Sequence, residues 1–185
     1  PCFPQLQPVA TADYSSEEAA VVAGVDEVGR GPIAGPVVAA AVILPEEIAH
    51  LPDLRDSKQM TRLARERVAS LLTEDPGTRI GFGVVSSAEI DRMNILRATI
   101  HAMRTALTAL EPLPDVAYVD GRPVKGLPVR SKAFVGGDAT VPCIAAASIV
   151  AKVYRDALMC RCDNDYPGYG FANHKGYGTA AHLAA

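Results

Sequence analysis

The sequence predicts an α/β fold, a mixed sheet flanked by helices with a small helical part at its C-terminal end. Two observations carry that expectation. Three β-rich apolar runs come first in the chain, and further strand-like runs then alternate with stretches of helical periodicity.

Each element follows from its own residues. Residues 1–20, rich in Pro, Ser and acidic side chains, read as a loosely held leader, which leaves 21–185 as one folded domain. "VVAGVDEVG" and "GPVVAAAVIL" are consecutive strands separated by Gly, Arg and Pro, expected to join through a tight turn. Beyond a polar loop containing "RDSKQMT", Thr61 to Glu74 spaces Leu63, Val68, Leu71 and Leu72 as an amphipathic helix does. "RIGFGVVS" is a third strand. Asn94 to Leu110 is a second helix, with Ile95, Ile100, Met103, Leu107 and Leu110 toward the core. "VAYVD" is a short buried strand ending at Asp120, and "SKAFVGGDA" a last strand and turn. "VPCIAAASIVAKVYRDALM" is a helix of small residues starting near Pro142, where the first turn tolerates proline.

Composition narrows the function classes. At 185 residues, 49% hydrophobic and 21% charged, the chain is long enough to bury a core without staples. A net charge of −3 argues against a globally basic nucleic-acid binder and against membrane attachment, so any polyanion must be held by a local patch. Cys2, Cys143, Cys160 and Cys162 form no CxxC pair and read as small hydrophobes of a reducing compartment rather than zinc ligands. No long apolar span or signal-like leader occurs, and the cytoplasm is the expected location.

The anomaly is acidic. Asp26 and Glu27 follow the apolar run "VVAGV", Asp120 follows "VAYV", and Asp138 follows "AFVGG". Any one of them alone reads as a strand end or turn residue. Together they differ, because the ends of adjacent strands converge where α/β folds hold ligands. Like charges 4 Å apart repel by about 1 kcal/mol in water and about 4 at an effective dielectric of 20, so such a cluster calls for counter-charge. Oxygen-only ligands favour Mg²⁺ or Mn²⁺. One tension stands in this reading: neighbours on a regular strand point to opposite faces, so Asp26 and Glu27 cannot both reach one ion from an ideal strand.

"GRGPIAG" has neither dinucleotide-fingerprint nor Walker spacing, and a strand rather than a helix follows it. It suits a backbone-lined notch, where Gly29 and Gly31 let main-chain groups approach a sugar and Arg30 pairs a phosphate. A notch of that kind can read a 2′-hydroxyl and so tell RNA from DNA. Lys152 and Arg155 share one helix, with two readings open: reaching a nucleic-acid backbone, or a surface ion pair of Arg155 with Asp156.

"GVDEVGRGPIAGPVVAAAVIL", "DSK", "VDG", "GGDATVPCIAAASIVAKVYRD" and "YPGYGFANHKGYGT" occur in this order. With them the chain, from Ala23 to Leu183, resembles bacterial ribonuclease HII, the type 2 ribonuclease H. The resemblance implies a ribonuclease H-like catalytic domain over 21–185 and hydrolysis of the RNA strand of RNA–DNA hybrids. It also implies cutting 5′ of single ribonucleotides in duplex DNA, with roles in ribonucleotide and primer removal and DNA repair. It implies that Asp26, Glu27, Asp120 and Asp138 hold two Mg²⁺ or Mn²⁺ ions, one activating water and the other stabilising the leaving 3′-oxygen. Substrate contacts are implied for Gly29, Arg30, Gly31, Lys58 and Tyr177, the last as a sugar-stacking ring. The protein is expected to be a monomer. Family members usually continue past "HL" through a further basic helical segment, so this chain is expected to lack part of the duplex grip. Two rivals share these residues: a metal-dependent DNA nuclease on the same fold class, and a non-catalytic binder of hybrid or junction nucleic acid.

Overall fold

A computed structural model describes residues 20–49, 54, 57 and 60–185 of the chain. Five strands form one sheet in the order β3-β2-β1-β4-β5. They are β1 (Val22–Val28), β2 (Val37–Ile43), β3 (Arg79–Val85), β4 (Val116–Asp120) and β5 (Arg130–Phe134). β1 pairs antiparallel with β2, and β2 with β3, whereas β4 lies parallel to both β1 and β5. The mixed sheet is the one the sequence predicts.

The helices cover both faces. α1 (Glu46–Ala49) and α2 (Arg62–Glu74) follow β2, and α3 (Ser87–Met93) and α4 (Ile95–Thr108) follow β3. α5 (Gly137–Thr140) and α6 (Pro142–Asp165) follow β5, and α7 (Phe171–His174) and α8 (Ala180–Ala184) make the small C-terminal helical part. α3 was not legible in the apolar pattern, since it buries no residue completely; a capping box does mark its start, with the Ser86 side chain accepting from the Glu89 N–H and the Glu89 carboxylate accepting from the Ser86 N–H.

Strand alternation sorts the core. Ala23 and Val25 of β1, Ala39 and Ala41 of β2, and Ala117 and Val119 of β4 pack with Ala98, Ala102, Met103, Ala106 and Leu107 of α4. On the other face, Ala40 and Val42 meet Val68 and Leu72 of α2 and Ile149 and Val150 of α6. The predicted helix over 61–74 begins at Arg62 with Thr61 as its N-cap, but Leu63 and Leu71 face solvent because α2 touches the rest of the molecule through a narrow stripe. On α4, Ile95 and Ile100 are only half-buried, and the alanines at 98, 102 and 106 form the contact stripe in their place.

α6 seats against β1 with nothing between them. A Cβ on Gly24 would lie 2.1 Å from the carbonyl carbon of Cys143, so only glycine permits this approach.

Eight residues, 29–36, connect β1 and β2, where a tight turn was expected. The difference has a physical cause in α6. Arg155 is fully buried, and its guanidinium donates to Pro36 O (2.9 Å), Ala34 O (3.1 Å) and Lys175 O (2.8 Å). The loop is wrapped around this side chain, and Gly176 O accepts from the N–H groups of Ile33 and Ala34. Gly29 turns the chain with φ +108°, and a Cβ there would meet Pro36 O at 2.5 Å. Of the two readings of Arg155, the ion pair with Asp156 fails: Lys152 holds that carboxylate at 2.7 Å.

Arg155→Gln is expected to lower the unfolding free energy by about 3 kcal/mol or more, because it strands buried carbonyls. Urea titration should find a lower midpoint at unchanged slope, with Arg155→Lys intermediate.

Candidate active site

The parallel pairing of β1 with β4 aligns Gly24 with Tyr118 and Val25 with Val119. Continuing that register by one residue brings Asp26 beside Asp120, both on the α6 face. Asp138, on α5, is the third member: carboxylate oxygens of Asp26, Asp120 and Asp138 lie within 4.8 Å of one another. Asp26 and Asp138 are buried, at 7% and 4% exposure. The N–H of Gly137 donates to Asp120 Oδ1 at 2.8 Å, which ties the start of α5 to the end of β4.

Glu27 lies elsewhere. β1 stays regular to Val28, so Glu27 points to the α4 face, and its Oε1 accepts from Arg30 Nη1 at 3.0 Å. The strand neither ends nor twists to bring it round. Three of the four predicted carboxylates thus form one oxygen-rich group, with the fourth beside it in an ion pair.

Burial, then the charges of Glu27 and Asp120, push the Asp26 carboxyl up from the ordinary 3.8 to about 8, against the Ser148 hydroxyl and the Glu27 N–H, which favour its charged form. Glu27 is also raised, first by burial, with Arg30 opposing. A hard divalent cation fits this site: the donors are all carboxylate oxygens, and the charge they carry in a buried corner lacks a neighbouring lysine or arginine other than Arg30.

A cavity of about 290 Å³ opens over the carboxylates and reaches the glycine turn. Gly29, Arg30 and Gly31 line one wall, and Tyr177, Lys152 and Ser148 another. A Cβ on Gly31 would meet Tyr177 Cε1 at 3.7 Å, so the half-exposed ring stands over that glycine. Lys152 Nζ lies 5.7 Å from the ring centroid. Lys58 lies outside the described residues. Its neighbour Ser57 is buried in the cavity wall, 2.9 Å from Ser148 Oγ, and its carbonyl accepts from Arg65.

Sequence reasoning missed Ser57, Arg65 and Ser148 and left Arg155 open. A signal existed for the α6 set: Ser148, Lys152, Arg155 and Met159 recur at four- and three-residue spacing and so share one helix face. They were hidden by the apolar run around them, which reads as core.

The family model described as Ribonuclease HII matches residues 23–185. The Ribonuclease HII of Rhodospirillum rubrum is 54% identical over 167 residues, covering 89% of this chain and 77% of that protein. Among solved structures, the ribonuclease H2 of Pyrococcus horikoshii OT3 aligns with a TM-score of 0.71 at 33% identity, over 88% of this chain and 82% of its own. Bst-RNase HIII in complex with Mn²⁺ shares the fold, with a TM-score of 0.66 at 20% identity over 81% of this chain and 57% of that one. With the acidic corner, the glycine notch and the mixed sheet on one scaffold, these likenesses show that the chain belongs to the ribonuclease HII family and is a nuclease of the ribonuclease H class.

Proposed function

We propose that this protein is a divalent-metal-dependent endonuclease that hydrolyses the RNA strand of RNA–DNA hybrids and cuts 5′ of single ribonucleotides in duplex DNA, leaving 5′-phosphate and 3′-hydroxyl ends. The observation that carries the reading is the meeting of two features in one cavity: three carboxylates at the strand ends, and a side-chain-free notch roofed by Tyr177. Neither alone selects RNA. A carboxylate cluster serves any phosphodiester, whereas main-chain groups at Gly29 and Gly31 beside an aromatic ring suit a ribose and its 2′-hydroxyl.

In this reading Asp26, Asp120 and Asp138 hold the cation, and Glu27 completes the ligand set from the neighbouring strand face. Mg²⁺ or Mn²⁺ bound there supplies water activation and charge neutralisation at the departing 3′-oxygen. The chain's own contributions are positional. Tyr177 stacks on the sugar, Gly31 leaves room for it, Arg30 holds a phosphate, and Ser148 orients Asp26. Lys58 is proposed as a further phosphate contact on the strength of its motif. A purely binding protein would gain nothing by gathering buried carboxylates where a polyanion must lie.

The deciding experiment is cleavage of a DNA duplex carrying one ribonucleotide, beside an all-DNA duplex, with Mg²⁺, Mn²⁺ or EDTA. Metal-dependent cutting 5′ of the ribonucleotide with the control intact is expected; cutting of the control would favour a DNA nuclease. Asp120→Asn is expected to lower kcat at least about 10³-fold at saturating Mg²⁺, while its circular dichroism stays that of a folded domain. Retained turnover would remove Asp120 from the ligand set.

The Asp26 carboxyl also sets a pH dependence. Its folded pKa lies above its unfolded value, so the metal-free folded protein holds more protons than the unfolded chain between about pH 4 and 8. This contribution to stability is complete below pH 4 and lost as pH rises through 8. In EDTA, Asp26→Asn should therefore melt higher than wild type at pH 8.5, by about 2–4 °C for each kcal/mol relieved. At pH 4 the two should converge. Added Mg²⁺ should raise the wild-type melting temperature at pH 8.5 and leave Asp26→Asn nearly unmoved.

A further inference from the structure

On the α4 face of the sheet lies a second cavity, of about 530 Å³, which shares Glu27, Arg30 and Asp120 with the carboxylate cavity. Its floor is apolar: Ile100 and Met103 of α4, with Leu96 59% exposed at the rim. Its outer wall is the segment after β4, which carries Arg122 and Lys125, both exposed. Among the described residues no carboxylate forms an ion pair with either cation. The carboxylates that reach the cavity are otherwise engaged, Glu27 with Arg30 and Asp120 with the Gly137 N–H and the acidic group. The cavity therefore combines an apolar floor with uncompensated positive charge, the chemistry that receives a sugar, a base and a phosphate.

Its position says which nucleotide. The notch at Gly31 and Tyr177 lies on the α6 side of the shared residues, and this cavity on the α4 side. A strand whose scissile phosphate sits at the carboxylates, with the ribose 3′ of it in the notch, continues in the 5′ direction over the Glu27–Arg30 pair. We infer that the cavity is the subsite for the nucleotide immediately 5′ of the cut, with Arg122 and Lys125 holding the first phosphate upstream of the scissile one, and Leu96 and Ile100 lying against its sugar or base. This rests on the proposed reading of the notch.

A double-mutant cycle between protein and substrate tests it. Arg122→Gln/Lys125→Gln is measured on ribonucleotide-containing duplexes in which a neutral methylphosphonate replaces either the first upstream phosphate or the second downstream one. KM and kcat are read with Mg²⁺, and Kd with Ca²⁺. The double variant is expected to raise KM and Kd about 10-fold at unchanged kcat and to reduce the salt slope of binding by about 1 for each cation removed. The upstream methylphosphonate should weaken wild type similarly, yet add nothing to the loss in the variant, whereas the downstream one should multiply with it. Multiplication at both positions, or no loss in the variant, overturns the subsite. If wild type leaves ribonucleotide-containing duplexes uncut, the reading of the notch has failed. The Kd cycle, run with an RNA–DNA hybrid, then decides the cavity by itself.

Discussion

The contact on which the site depends is that of α6 with β1 at Gly24. Because no side chain separates them, the helix lies against the strand carrying Asp26, close enough for Ser148 to bond that carboxylate. One turn further on, Lys152 reaches Tyr177, and the next turn presents Arg155 to the glycine loop. A helix displaced outward by one methyl group would lose the register of all three. α6 is thus the ruler against which carboxylate, ring and notch are measured. Its buried cation uses backbone carbonyls as partners, so the loop gains a fixed shape without a counter-charge that would compete for the substrate's phosphates.

The acidic corner is the converse case, a charge left uncompensated. Burial and mutual repulsion disfavour ionised Asp26. That cost sits on a rigid sheet end and a short helix rather than on a loop, which holds the donors in place before a cation arrives. Gly137 serves this arrangement twice, its N–H bonding Asp120 and its missing side chain leaving room for Ile144. The same device couples β4 to α5 and so sets Asp138 relative to Asp120.

Much of this was legible in the residues. The sheet, its helices and the acidic anomaly follow from runs whose periodicity is plain, and Asp26, Asp120 and Asp138 converge as strand-end residues should. What stayed hidden has a common physical origin. Arg155 and Ser148 lie within an apolar run and make long-range bonds to groups 121 and 91 residues away, which no local pattern encodes. The loop over 29–36 looked like a tight turn because Gly and Pro mark both, and only a buried guanidinium at its centre tells them apart. Leu63 and Leu71 of α2 erred the other way, since an amphipathic pattern cannot say how wide a stripe the partner covers.

The pleat of β1 explains why the site has two sides. Asp26 and Glu27 are sequence neighbours, so the strand that sends one carboxylate to the α6 face must send the other to the α4 face. On the first face Asp26 meets acids and a serine; on the second Glu27 meets Arg30, itself the centre of the glycine turn. The edge of the sheet between them is bounded by a cavity on either side, and the residues shared by both cavities are the strand-end acids and the arginine that bridges them. A single-sided cluster would accept a phosphate but leave the chain on one side of it unsupported. Splitting the acidic pair across the pleat puts the bond to be cut at the crest, with room for a nucleotide on each slope.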